Sequence, residues 1–103
     1  MSLPKLVRDK IPQIIEGEPD KTCDWYVADC DEYKARLYEK MREELDEFID
    51  VPCYEEAADI YEVFLSICAL HDMNIETVAW WASAKKLQRG GFKDKIVLER
   101  VGQ

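Results

Sequence analysis

The stretch REELDEFIDVPCYEEAADIYE, residues 42–62, holds two acidic clusters, Glu43–Glu47 and Glu55–Asp59, on either side of a proline. Both clusters interrupt runs that otherwise read as the apolar face of a helix. Pro52 disfavours helical geometry at Val51, so one helix should end there and another begin just beyond it. Two antiparallel helices on so short a connection make an αα-hairpin. At about 100° per residue, positions three or four apart share one side of a helix. In the first helix one such row is Leu37, Met41, Glu44 and Phe48, so Glu44 takes a place the pattern reserves for the core. Glu47 lies beside it one turn on, whereas Glu43 and Asp46 fall further towards solvent. In the second helix Glu56, Ile60, Val63 and Ile67 form a row, and Asp59, Val63, Ser66 and Leu70 the next. Glu62 points to a narrower polar face. Each helix therefore offers a carboxylate pair at i, i+3, and the hairpin brings the pairs together.

Either cluster alone reads as a solvated acidic face. Two pairs on apolar rows of adjacent helices demand a counter-charge, because like charges at this spacing repel and a buried unpaired carboxylate is expensive. Four hard oxygen donors suit Mg²⁺, Mn²⁺ or Ca²⁺ and do not suit zinc or copper. Inward carboxylates on facing helices are one way to build such a site, although the di-iron version needs Glu-x-x-His pairs. The single histidine, His71, is not so placed and reads as a capping or surface residue.

The charge distribution agrees. The 103 residues carry a net charge of −8, and residues 39–62, with ten acidic and two basic side chains, hold all of it. That balance disfavours nucleic acid or an anionic membrane as partner, and no apolar run is long enough to span a bilayer. Cys23, Cys30, Cys53 and Cys68 show neither zinc spacing nor the density of a disulfide framework, and no leader pattern opens the chain, so a reducing cytoplasm is expected.

Around the hairpin, KLVRDKIPQIIEGEPDK (residues 5–21) reads as a short extended or helical piece broken at Pro12, Gly17 and Pro19. Residues 23–30 are aromatic and β-branched enough for a short strand, which residues 94–101 are expected to pair. Asp31 is the expected cap of the first long helix. The second, apolar around most of its circumference, should end near Met73–Asn74 and lie buried between partners, with Tyr61 and Phe64 in the core. A third helix carries Trp80 and Trp81, at least one of them expected in a core or subunit interface, and stops at Gly90–Gly91 in an αL cap. Lys85 and Arg89 share a face near its end, where basic residues suit both the negative helix terminus and a phosphate. The expectation is one mainly helical, all-α domain over residues 1–103 with a small strand pair.

Together these residues resemble the MazG-like nucleoside triphosphate pyrophosphohydrolases, whose pattern is E-E-x-x-E followed by E-x-x-D. Here that is EELDE, with Glu44 and Glu47, and EAAD, with Glu56 and Asp59. KLVRDKIPQII at the start and KKLQRGGF near the end look like the phosphoribosyl-ATP pyrophosphohydrolase-like branch, so the likeness runs along nearly the whole chain. The resemblance implies Mg²⁺-dependent cleavage of a nucleoside triphosphate between the α- and β-phosphates, giving a nucleoside monophosphate and pyrophosphate. It implies Glu44, Glu47, Glu56 and Asp59 as metal ligands, with Mn²⁺ as an alternative ion. Glu43 then sits among the catalytic acids outside the metal's inner layer, and Lys85 and Arg89 face the phosphates. It also implies a homodimer or homotetramer that completes the helical bundle. Phosphoribosyl-ATP as substrate, or a non-catalytic helical dimer whose acidic groove binds Ca²⁺ or a basic partner, are the rival readings. The basic residues of KLVRDK receive no role from the sequence.

Overall fold

The computed structural model describes residues 3–102 and is all-helical, with no strand among them. Its helices are α1 (Ile11–Glu16), α2 (Cys30–Asp50), α3 (Tyr54–Leu70) and α4 (Ile75–Arg89). The chain divides into two compact units, one ending at Asp72 and one beginning at Met73.

In the first unit, α2 and α3 form the expected hairpin and supply the principal helix packing. Pro52 lies in the three-residue link, and Val51 closes α2 with its N–H on the Glu47 carbonyl at 2.9 Å. The start of α2 differs from expectation. Asp29, not Asp31, is the N-cap, its Oδ1 accepting from the Glu32 N–H at 2.8 Å. Asp31 and Glu32 instead fill the first turn, where negative charge suits the helix dipole. Leu37 of α2 and Val63 and Cys68 of α3 are the buried apolar side chains of the core.

Residues 23–30 do not form the expected strand, nor do residues 94–101. β-branched and aromatic side chains favour a strand only where a ladder and a packing surface exist. Here residues 23–29 run as irregular chain anchored by side chains. Tyr26 Oη donates to Glu32 Oε2 at 2.6 Å, and Cys30 already opens α2. In the second unit Ile96, Val97, Leu98 and Val101 are all exposed. Pro12 does not break a helix either. It occupies the first turn of α1, where its missing N–H is no loss.

α3 ends earlier than expected, at Leu70, with His71 as its C-cap and its Nε2 2.7 Å from Tyr38 Oη. Tyr61 and Phe64 lie on the outer side of α3 and are exposed, since within this unit only α2 packs extensively on it. In the second unit Asn74 caps α4 by accepting from Glu76 N and Thr77 N. Trp80 and Trp81 pack edge to face with each other and remain exposed in this single chain. Gly90 stops α4 as expected, but with φ 85° and ψ 175° it is not in the αL region. That combination is essentially confined to glycine. No helix among the described residues is long and apolar enough to cross a membrane.

Candidate metal centre

The hairpin places the acidic residues close to its link. Glu44 and Glu47 sit in the last two turns of α2, Glu56 and Asp59 in the first two of α3. Three of them converge: Glu44, Glu56 and Asp59 each present a carboxylate oxygen, and these oxygens lie within 4.8 Å of one another. Glu47 and Glu43 stand outside this trio.

Glu44 decides the character of the site. It is 5 % exposed and the one charged residue buried among those described. Its Oε1 is 3.3 Å from Lys40 Nζ, one turn back on the same helix, while its Oε2 is buried with no hydrogen-bond partner. Glu56 Oε2 and Glu43 Oε1 are orphaned in the same way, although Lys40 Nζ approaches the latter to 3.7 Å. Buried polar atoms are nearly always satisfied, so several in one place call for a missing partner. Burial raises the Glu44 pKa above the ordinary carboxylate value. Lys40 works against that rise, and the charges of Glu47 and Asp59 add to it.

The trio fits a hard cation. Two oxygens on one ion are separated by at most twice the metal–oxygen distance, about 4.2 Å for Mg²⁺ and about 5 Å for Ca²⁺. The 4.8 Å limit on the observed separations is of that size. All three donors are carboxylates, and neither thiol nor imidazole joins them, which suits Mg²⁺, Mn²⁺ or Ca²⁺.

Two cations at the site have no place in the sequence reading. Lys40 was legible, since it precedes Glu43 by three residues and Glu44 by four, a spacing that pairs side chains on a helix. Arg8 was not. It comes from the amino-terminal segment, and its Nη2 lies 2.8 Å from Asp59 Oδ1, across 51 positions of chain. Arg36 helps hold that segment against α2: its Nη1 donates to the Pro4 carbonyl at 3.2 Å and its Nη2 pairs with Glu32 Oε2 at 3.0 Å. A cavity of about 250 Å³ opens between segment and hairpin, lined by Arg8, Lys40, Glu44, Asp59 and Ser66 among others. Glu62, expected on a polar face, also borders it.

Lys85 and Arg89 lie near the end of α4 in the second unit, both exposed. Their assignment to phosphates rests on the sequence alone. Comparison with protein-family models, curated proteins and solved structures found no match to this chain.

Proposed function

We propose that this chain is a divalent-cation-dependent nucleoside triphosphate pyrophosphohydrolase that cleaves between the α- and β-phosphates. The reading is supported by one observation: Glu44, buried and with its Oε2 unpartnered, presents a carboxylate oxygen within 4.8 Å of oxygens of Glu56 and Asp59. Glu44, Glu56 and Asp59 would hold the ion, with Glu47, whose charge bears on Glu44, as the fourth acid of the set. When bound, a Mg²⁺ or Mn²⁺ ion supplies positive charge for polyphosphate oxygens and acidifies water.

The chain's own residues supply the rest. α2 and α3 fix the acids on two rigid elements, so their spacing does not depend on a loop. The adjacent cavity admits a polar group directly beside Glu44 and Asp59. Glu43, outside the trio and tethered by Lys40, is the carboxylate we assign to take the proton from the attacking water. Removing that proton makes water a better nucleophile towards the α-phosphorus, and pyrophosphate leaves. A second copy of the chain, as homodimer or homotetramer, would cover the apolar side chains that a single chain leaves exposed on α3.

Pyrophosphate release from a panel of ribo- and deoxyribonucleoside triphosphates and phosphoribosyl-ATP, with and without Mg²⁺, tests the reading. Wild-type protein should release pyrophosphate only with the metal, and Glu56→Gln and Asp59→Asn should abolish it. If both variants keep Mg²⁺-dependent release, the assignment fails. Ca²⁺ binding with no release from any substrate would instead establish the non-catalytic groove, which the 4.8 Å oxygen spacing also accommodates.

A further inference from the structure

The cation that α3 receives from the amino-terminal segment points to a residue outside the acidic motifs. We infer that Arg8 is a substrate-binding residue, whose guanidinium grips a phosphate of the polyphosphate while Asp59 orients it. This rests on the pyrophosphohydrolase reading above and adds to it an anion-binding partner for the acidic centre.

Three observations carry the inference. First, Arg8 lines the cavity that Glu44 and Asp59 also line, and its guanidinium reaches Asp59. Second, the contact with Asp59 uses a single Nη2–Oδ1 bond. A guanidinium has five N–H donors in a fixed fork matched to phosphate, and a carboxylate has two oxygens. Asp59 can therefore serve a cation with one oxygen and Arg8 with the other, leaving most Arg8 donors for an anion. Third, Arg8 remains 55 % exposed on its side chain and Asp59 35 %. An ion pair that open contributes little to stability, so a purely structural role explains its placement poorly.

Lys40 shows the contrast. Its side chain is 16 % exposed and already lies against both Glu43 and Glu44, which occupies it as an internal counter-charge. Once a divalent ion joins the acids, a triphosphate still carries excess negative charge, and of the two cations lining this cavity Arg8 is the accessible one.

The test is calorimetric titration of inorganic triphosphate into protein saturated with Mg²⁺, and separately of Mn²⁺ alone. Inorganic triphosphate removes any dependence on base or sugar. Arg8→Ala should weaken triphosphate binding about tenfold, the size of one lost hydrogen bond to a charged group. Its Mn²⁺ affinity should stay within about threefold of wild type, and Arg8→Lys should recover part of the triphosphate affinity. Far-UV circular dichroism checks folding, and Arg8→Gln, held to the same thresholds, replaces Arg8→Ala if that variant is unfolded. Undiminished triphosphate binding overturns the inference and leaves Arg8 a counter-ion. Parallel loss of Mn²⁺ affinity overturns it too, assigning Arg8 to holding Asp59 for the metal. If wild-type protein binds no Mn²⁺, the metal reading itself fails, an outcome distinct from both.

Discussion

The two arms of the hairpin manage their acids in opposite ways. α2 carries its own cations: Arg36 pairs with Glu32 and Glu39, and Lys40 with Glu43 and Glu44, all within a turn. α3 has Glu55, Glu56, Asp59 and Glu62 and not one lysine or arginine between Tyr54 and Leu70. Its Asp59 takes Arg8 from another part of the chain, and Glu56 keeps an orphaned oxygen. The first arm supplies four basic residues against its eight acids, although Glu43 and Glu44 each keep an orphaned oxygen. The second has no cation of its own and takes Arg8 at Asp59 from the amino-terminal segment.

That difference can be broken from several sides. The largest stability effect is expected where the arms meet. Leu37→Ala should lower the unfolding free energy in urea by about 3 kcal/mol, through lost burial and the cavity left between α2 and α3. A change much below 1 kcal/mol would mean that the hairpin is not held by this core. Next comes the metal: Glu56→Gln on α3 should weaken Mn²⁺ binding about 100-fold, whereas Glu43→Gln on α2, outside the trio, should weaken it no more than about tenfold. Equal losses, measured by calorimetry, would erase the distinction between the trio and the acids beside it. Lys40→Met should destabilise the metal-free protein by about 2 kcal/mol, because two partly or fully buried carboxylates lose their counter-charge. Added Mg²⁺ should restore much of that loss, read as a rise in melting temperature. The smallest effect is expected from Asp29→Ala, about 1 kcal/mol for the lost cap of α2, with Mn²⁺ affinity unchanged.

Much of the hairpin was legible because its signals are local. Pro52 fixed the break, and helical spacing put Glu44 on the buried side and Glu56 and Asp59 on the side facing it. The cap of α2 is not legible because Asp29 and Asp31 are both capping residues two positions apart, and only the backbone decides between them. The strands failed for a different reason. Residues 23–30 and 94–101 have strand-forming side chains, but pairing is a tertiary event that composition does not encode. Tyr61 and Phe64 have apolar spacing yet face outward, since periodicity finds a face and not what covers it. Arg8 illustrates the limit most clearly. Nothing near KLVRDK announces that its guanidinium meets an acid 51 residues later. Lys40, by contrast, stood four residues before Glu44 in plain view.

The brevity of the Val51–Cys53 link has a mechanical consequence. The converging acids sit within about two turns of it, near the pivot of a pair of tongs, where the jaws open least. Motion at the far ends of α2 and α3 is therefore geared down before it reaches the carboxylates, and the bite of the site is set by three residues. Lengthening that link would loosen the jaws without touching a single acid, so the spacing of the carboxylates is governed from outside the cluster itself.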